Sequence, residues 1–252
     1  MVRKALLHKN IDKDDNVTFT LHNPDFLALS NQIDNNRCLK SVKAALYANE
    51  PKIPQNGVFE PSFIDNKKVM NPGTSSIWSE ADHKAAAVLI AILISEDTPP
   101  EMLFTTRNMH MRNHPGEVAF PGGRQDKGEN ALETALREAK EEIALESNSM
   151  LAYGYLDLFY TISYFSVIPV VAFFPHSIKQ NLIPNPNEVE NIFTTPLNYI
   201  LDEHNLQVEN RIWEGLPRSY FSIAYQNHRI WGATAGMIHN LITRMKKDFN
   251  SR

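Results

Sequence analysis

The stretch from Asn130 to Leu145 constrains the fold most, because it satisfies two patterns at once. Ala131, Leu132, Ala135, Leu136, Ala139 and Ile143 fall on one stripe at helical spacing, so this segment is a helix with one face on an apolar surface. Glu138, Glu141 and Glu142 stand at i, i+3 and i+4, where Cβ atoms on a helix are about 5–6 Å apart. Three like charges at that spacing repel one another. An ordinary solvated acidic face, balanced by Arg137 and Lys140, is one explanation. The other is a hard divalent cation, which takes carboxylate oxygens together with phosphate oxygens of a substrate. Gly122-Gly123 upstream lets backbone come close to such a site. Arg137 lies four residues from both Glu133 and Glu141 and eight from Glu129, within reach of a two-pronged contact to a carboxylate.

Around this helix the pattern is mixed α/β. Ala85 to Ile94 is an apolar, β-branched run, and Asp97-Thr98-Pro99-Pro100 separates it from Met102 to Thr106, which favours strand, turn, strand. Leu151 to Phe174 is aromatic and β-branched and is interrupted by Pro169, which predicts two strands with a bend. Pro184, Pro186 and Pro196 mark loops, Ile223 to Trp231 a last strand, and Thr234 to Phe249 a final helix with Thr234 as its N-cap. Residues 1–80 are polar and carry Pro51, Pro54, Pro61 and Pro72. They predict an N-terminal extension, partly helical between Pro24 and Ala48 with a break at Asn35-Asn36, set before a main domain over 81–252.

The bulk properties exclude several classes. With 252 residues, 42% hydrophobic and 21% charged, the chain is an ordinary globular one. A net charge of −4 gives no basic track for a polynucleotide, so no nucleic-acid partner is expected. An acidic protein acting on an anionic substrate needs a bridging cation. The single cysteine, Cys38, reads as structural and suits a reducing compartment. The apolar run 85–94 is about half the ~20 residues a membrane span needs, and the N-terminus lacks a signal-peptide core, so a cytoplasmic protein with no membrane partner is expected.

The spacing of the whole segment decides between the two explanations of the acidic helix. Gly123, five residues, Glu129, seven residues and then Arg137-Glu138-Ala139-Lys140-Glu141-Glu142-Ile143-Ala144-Leu145 resembles the Nudix box, Gly-x5-Glu-x7-Arg-Glu-φ-x-Glu-Glu-x-Gly-φ, where φ is apolar. Every charged position is in register, and one position departs: Ala144 stands where the box ends in glycine. The resemblance implies an α/β/α sandwich on a mixed sheet. It implies Mg²⁺ or Mn²⁺ as cofactor, held by Glu138, Glu141, Glu142 and the Gly122 carbonyl, with Glu129 and Arg137 as a structural pair. It implies hydrolysis of a nucleoside diphosphate linked to another group, the metal polarising phosphoryl oxygens and lowering the pKa of bound water. The general base stays open between Glu138 and a glutamate on a later loop, Glu188, with Glu190 behind it.

A second signature lies upstream. Leu103 to Gly123 resembles the coenzyme A pyrophosphatase motif, with Arg107, Arg112, Gly116, Phe120, Pro121, Gly122 and Gly123 in register. Phe104 stands where the motif has leucine and Asn108 where it has serine or alanine. Ile230 to Gly236 is similar to the C-terminal end of the same enzymes. The resemblance implies Arg107, Arg112 and Phe120 as substrate-binding residues, the arginines pairing with phosphate oxygens. The two arginines buttressing the acidic site instead is the alternative. The products would be 3′,5′-ADP and 4′-phosphopantetheine. Other expectations are hydrolysis of ADP-ribose, NADH or a dinucleoside polyphosphate, a nucleotide sensor without turnover, or an RNA-cap hydrolase. The partner is a small nucleotide, and a homodimer is left to the structure.

Overall fold

The run from Ala85 to Ile94 is apolar at every position because both of its faces are covered. In a computed structural model of the chain, which describes residues 8–11, 17–20, 24–53, 84–161, 163–213 and 216–250, it is the centre of a mixed sheet. This strand, β3 (Lys84–Ile94), runs parallel to β9 (Phe165–Pro175) over its whole length, from Lys84 opposite Phe165 to Ile94 opposite Pro175. Antiparallel partners flank the pair: β4 (Glu101–Arg107) and β10 (Val189–Pro196) beyond β3, and β7 (Ala152–Tyr155) beyond β9. Three short strands add to it. β5 (Val118–Ala119) pairs with β4, β6 (Gly122–Arg124) with β3, and β8 (Phe159–Tyr160) with β9.

The strand period of two divides β3 and β9 between two cores. Ala87, Leu89, Ala91 and Leu93 join Ile168, Val170, Ala172 and Phe174 beneath α3 (Ala131–Ile143), which contributes Ala131, Ala135, Ala139 and Ile143. Ile90, Ile92 and Ile94 join Val167, Val171 and Phe173 beneath α5 (Gly232–Asn250), with Ile238, Leu241 and Ile242. This is the expected α/β/α sandwich on a mixed sheet.

The second face is also covered from the N-terminal side. Asn36 breaks the helical run: α1 (Pro24–Asn35) stops there, and the Asn36 side chain accepts from the N–H groups of Cys38 and Leu39 to start α2 (Arg37–Ala44). Leu39 and Val42 of α2 bury in the α5-side core. Past α2, Tyr47 exchanges both backbone hydrogen bonds with Tyr155. The Arg244 guanidinium lies 3.7 Å over the Tyr47 ring and donates to the Ala45 carbonyl and to Asp157. Ahead of these helices, β1 (His8–Ile11) and β2 (Val17–Thr20) form an antiparallel hairpin. The expected boundary near residue 80, with Pro54, Pro61 and Pro72, lies outside the described residues. Cys38 is half-buried, and burial pushes its thiol up, away from nucleophilic chemistry. Among the described residues no helix is long and apolar enough to cross a membrane.

Three sequence expectations are corrected. Pro169 does not bend a strand; it sits inside β9, where the partner changes from β8 to β7. Its carbonyl accepts from Leu156 on that side, so its absent N–H faces the gap between partners and no ladder bond is lost. Ile223 to Trp231 is a hairpin rather than one strand: β12 (Leu216–Tyr225) turns at Gln226, φ 50°, into β13 (His228–Trp231). β12 also pairs with β11 (Leu206–Trp213), a strand that follows the short helix α4 (Leu197–Ile200). Thr234 does not cap α5, which starts at Gly232; its hydroxyl donates to the Val118 carbonyl and fastens α5 to β5.

Candidate active site

Helix α3 is held at both ends. Asn130 accepts from the N–H of Glu133 at 2.9 Å, and the Glu133 carboxylate accepts from the N–H of Asn130 at 3.0 Å, a reciprocal capping box. Glu50 accepts from the N–H of Ala131 at 3.1 Å, a cap supplied from the segment after α2. At the other end Ala144 takes the left-handed conformation, φ 55° and ψ 29°, and its N–H reaches the Lys140 carbonyl. This is the position where the resembled box has glycine, and the geometry there is the one glycine adopts without cost.

With its alanine stripe on the sheet, α3 distributes its three glutamates unequally. Glu142 borders the stripe and is 6% exposed, whereas the Glu138 side chain is 15% and that of Glu141 58% exposed. Burial, with Glu138 and Glu188 adding like charge, pushes Glu142 up to about 8; Arg107 and a hydrogen bond from the Gly122 N–H oppose the rise. Burial also pushes Glu138 up, against the pull of Arg137, with Glu141 and Glu188 adding to the rise. Glu188 is thereby close to both carboxylates although it comes from the loop before β10.

Arg137 is the hub of the site. Its Nε and Nη2 donate to the two oxygens of Glu129 at 2.7 and 3.0 Å, a fork that holds Glu129 down at about 2. Its Nη1 donates to Glu138 at 2.9 Å and Glu141 at 3.2 Å, and Nη2 also reaches the Arg124 carbonyl at 3.0 Å. The glycines are steric requirements. A Cβ on Gly123 would lie 2.5 Å from Oε1 of Glu138, and one on Gly122 would lie 2.4 Å from the Ala87 carbonyl oxygen.

The remaining expected residues divide. Arg107 ends β4 on the α3 side of the sheet, with its Nε buried and without a hydrogen-bond partner among the described residues. Arg112 is exposed and makes no ion pair or hydrogen bond among the described residues. Phe120 is 3% exposed and stacks on Phe104, ring centroids 5.0 Å apart, so it builds the core beneath the Pro121-Gly122 turn and presents no open ring face. Gly122 sits opposite Val88 in β6, beside Glu142. Glu190 occupies a bulge, where β10 shifts register against β4 between Val189 and Asn191. Sequence reasoning missed Glu50, and it missed Asn185, whose N–H donates to the Glu142 carbonyl at 2.8 Å. The Asn185-Pro186-Asn187 run carries a signal for the latter, since Asn185 Oδ1 accepts from the N–H of Asn187 in an Asx turn.

The donor set suits a hard divalent cation: clustered carboxylates, one of them buried with unbalanced like charge, beside a turn where only glycine fits. Among the described residues no three acidic, histidine or cysteine side chains already converge their donor atoms on one point. The Arg137 guanidinium draws Glu138 and Glu141 towards itself.

Among solved structures, a MutT/nudix family protein from Enterococcus faecalis is similar at 13% identity and a TM-score of 0.42, covering 67% of this chain and 62% of that one. The model of the NUDIX domain matches residues 83–213. Nudix hydrolase 3 of Caenorhabditis elegans is 30% identical over 188 residues, 68% of this chain and 77% of that protein. The Nudix hydrolase NudL of Yersinia enterocolitica is 35% identical over 198 residues, 75% of this chain and 94% of that protein. The chain belongs to the Nudix hydrolase family.

Proposed function

We propose that the protein hydrolyses the pyrophosphate bond of coenzyme A or a derivative, releasing 3′,5′-ADP and 4′-phosphopantetheine, with Mg²⁺ or Mn²⁺ as cofactor. The observation that carries this reading is Arg107: a buried guanidinium Nε with no hydrogen-bond partner among the described residues, on the same side of the sheet as the acidic helix and acting on Glu142. A buried, unpartnered donor beside a carboxylate cluster is suited to a phosphate oxygen. Exposed Arg112, five residues on, is free to meet a second phosphate, and coenzyme A carries a 3′-phosphate besides its pyrophosphate.

On this reading Glu138, Glu141, Glu142 and the Gly122 carbonyl hold the cation, which when bound polarises phosphoryl oxygens and neutralises their charge. Arg107 orients the diphosphate against the acidic helix. Arg137 and Glu129 fix the loop before α3, so that Glu138 keeps its place. Glu188 takes the proton of the attacking water. Glu138 is the weaker candidate for that step, because Arg137 occupies its Oε1 at 2.9 Å. The Glu188 carboxylate makes no ion pair or hydrogen bond among the described residues and so is free to accept a proton.

The test is a substrate panel of coenzyme A, ADP-ribose, NADH and a dinucleoside polyphosphate, each with Mg²⁺ or Mn²⁺ and with products identified by mass spectrometry. The expected result is 3′,5′-ADP and 4′-phosphopantetheine, lost in Glu141→Gln. Intact coenzyme A beside cleavage of another substrate refutes the assignment of Arg107 and Arg112. Binding of coenzyme A with no turnover of any substrate supports a sensor instead.

A further inference from the structure

We propose that Asn108 is a positioning residue: it fastens the loop that carries Glu188 to the end of β4 and so sets where that carboxylate stands relative to Glu138 and Glu142. The inference rests on the reading of Glu188 as the base.

Among the described residues the Glu188 side chain has no hydrogen-bond or ion-pair partner, so its place is inherited from its backbone. That backbone has two anchors. On one side the N–H of Asn185 donates to the Glu142 carbonyl at 2.8 Å, tying the loop to the last turn of α3. On the other side Asn108 supplies two hydrogen bonds. Its backbone N–H donates to the Glu188 carbonyl at 2.9 Å, and its Nδ2 donates to the Pro186 carbonyl at 2.6 Å. The other end of the same amide, Oδ1, accepts from the N–H of His110 at 2.8 Å. A donor on one side and an acceptor on the other leave one orientation of the amide. Between the anchors the loop has little else. Pro184 and Pro186 supply no N–H, and its internal bonds converge on Asn185, whose carbonyl accepts from Glu188 and Val189.

The residue type is specific to the task. The signature that this segment resembles has serine or alanine here. An alanine has no polar side-chain atom, and a serine hydroxyl is shorter than the amide. Neither accepts from His110 while donating across to Pro186. Asn108 also directly follows Arg107, so one strand end orients the phosphate-facing guanidinium and the loop bearing the base. An error of about 1 Å in such a group costs up to about a hundred-fold in rate, so a modest loosening registers in kcat.

The experiment is a double-mutant cycle in the full chain. Asn108→Ala, Asn108→Ser, Glu188→Gln and Asn108→Ala with Glu188→Gln are assayed on the substrate the panel identifies, with melting temperatures recorded. Asn108→Ala is expected to lower kcat about ten-fold while KM stays within about two-fold. In the Glu188→Gln background the same substitution is expected to change kcat by less than about two-fold, because the group it positions is gone. A merely structural role gives the same loss in both backgrounds, and that result overturns the proposal. So does an unchanged kcat in Asn108→Ala beside a crippled Glu188→Gln, which leaves the base assignment standing. A fully active Glu188→Gln overturns the base assignment and this inference with it. If Asn108→Ala melts well below the parent, Asn108→Ser, which keeps a polar side chain, carries the same comparison.

Discussion

Ala144→Gly is expected to stabilise the protein. Ala144 holds φ 55° and ψ 29° at the end of α3, and in that region an L-residue brings Cβ against the following carbonyl at about 1–2 kcal/mol. Glycine removes that cost but gives up about 0.5–1 kcal/mol of chain entropy on folding. The methyl lost is only half-buried, a further few tenths of a kcal/mol by area. The balance favours glycine by about 0.5 kcal/mol. For a chain of this size that raises the melting temperature by roughly 1–2 °C. Ala144→Val, which places a β-branched side chain at the same dihedrals, is expected to melt several degrees lower than the parent. Urea midpoints and calorimetric melting of the three proteins give the comparison. Catalytic parameters of the glycine variant are expected to match the parent, since Ala144 offers no side-chain group to the site. A glycine variant that melts at or below the parent refutes the strain argument.

Two further outcomes follow from the site. In Gly123→Ala the new Cβ lies 2.5 Å from Oε1 of Glu138, so the carboxylate must leave its place beside Arg137, and kcat is expected to fall at least about ten-fold; a variant at full rate shows that Glu138 does not need that position. The second concerns acidity. In the metal-free fold Glu142 keeps its proton up to about pH 8, whereas the unfolded chain releases it near 4.5. The folded state binds more protons between those values, so this contribution to stability is full below about pH 4.5 and is lost as pH rises to 8. The urea midpoint of metal-free protein is expected to fall across that window by on the order of 1–3 kcal/mol in free energy, and Glu142→Gln is expected to flatten the slope. Identical slopes in both proteins show that Glu142 is not the group responsible.

The parts of the fold legible from sequence are those where a single local pattern decides. β3 and β4 with their turn, and α3 with its stripe, are of this kind. The misreadings come from tertiary context. Pro169 looks like an interruption because no sequence shows that its missing donor faces a gap between partner strands. β10 and β11 hide among prolines and charges because their alternation is weak at the sheet edges. The acidic helix announces its carboxylates by spacing, but spacing does not say that Glu142 is buried and Glu141 turned outward; that depends on how the alanine stripe meets β3. Phe120 reads as a substrate contact in the motif, whereas its ring stacks on Phe104 inside the core. Contacts between distant segments, such as Glu50 on α3 and Asn108 on the loop of Glu188, leave no periodic trace at all.

The parallel pairing of β3 with β9 has a kinetic consequence. Lys84 meets Phe165, so about 80 residues, α3 among them, must be closed into one loop before this pair forms. Loop closure of that length costs entropy that the local hairpin of β3 with β4 avoids, so the hairpin leads in refolding and β9 docks late. Until it docks, α3 has half of its apolar bed. On the reading proposed above, in which α3 and the β6 turn would hold the cation, it acts after the rate-limiting closure: it slows unfolding and leaves the folding rate nearly unchanged.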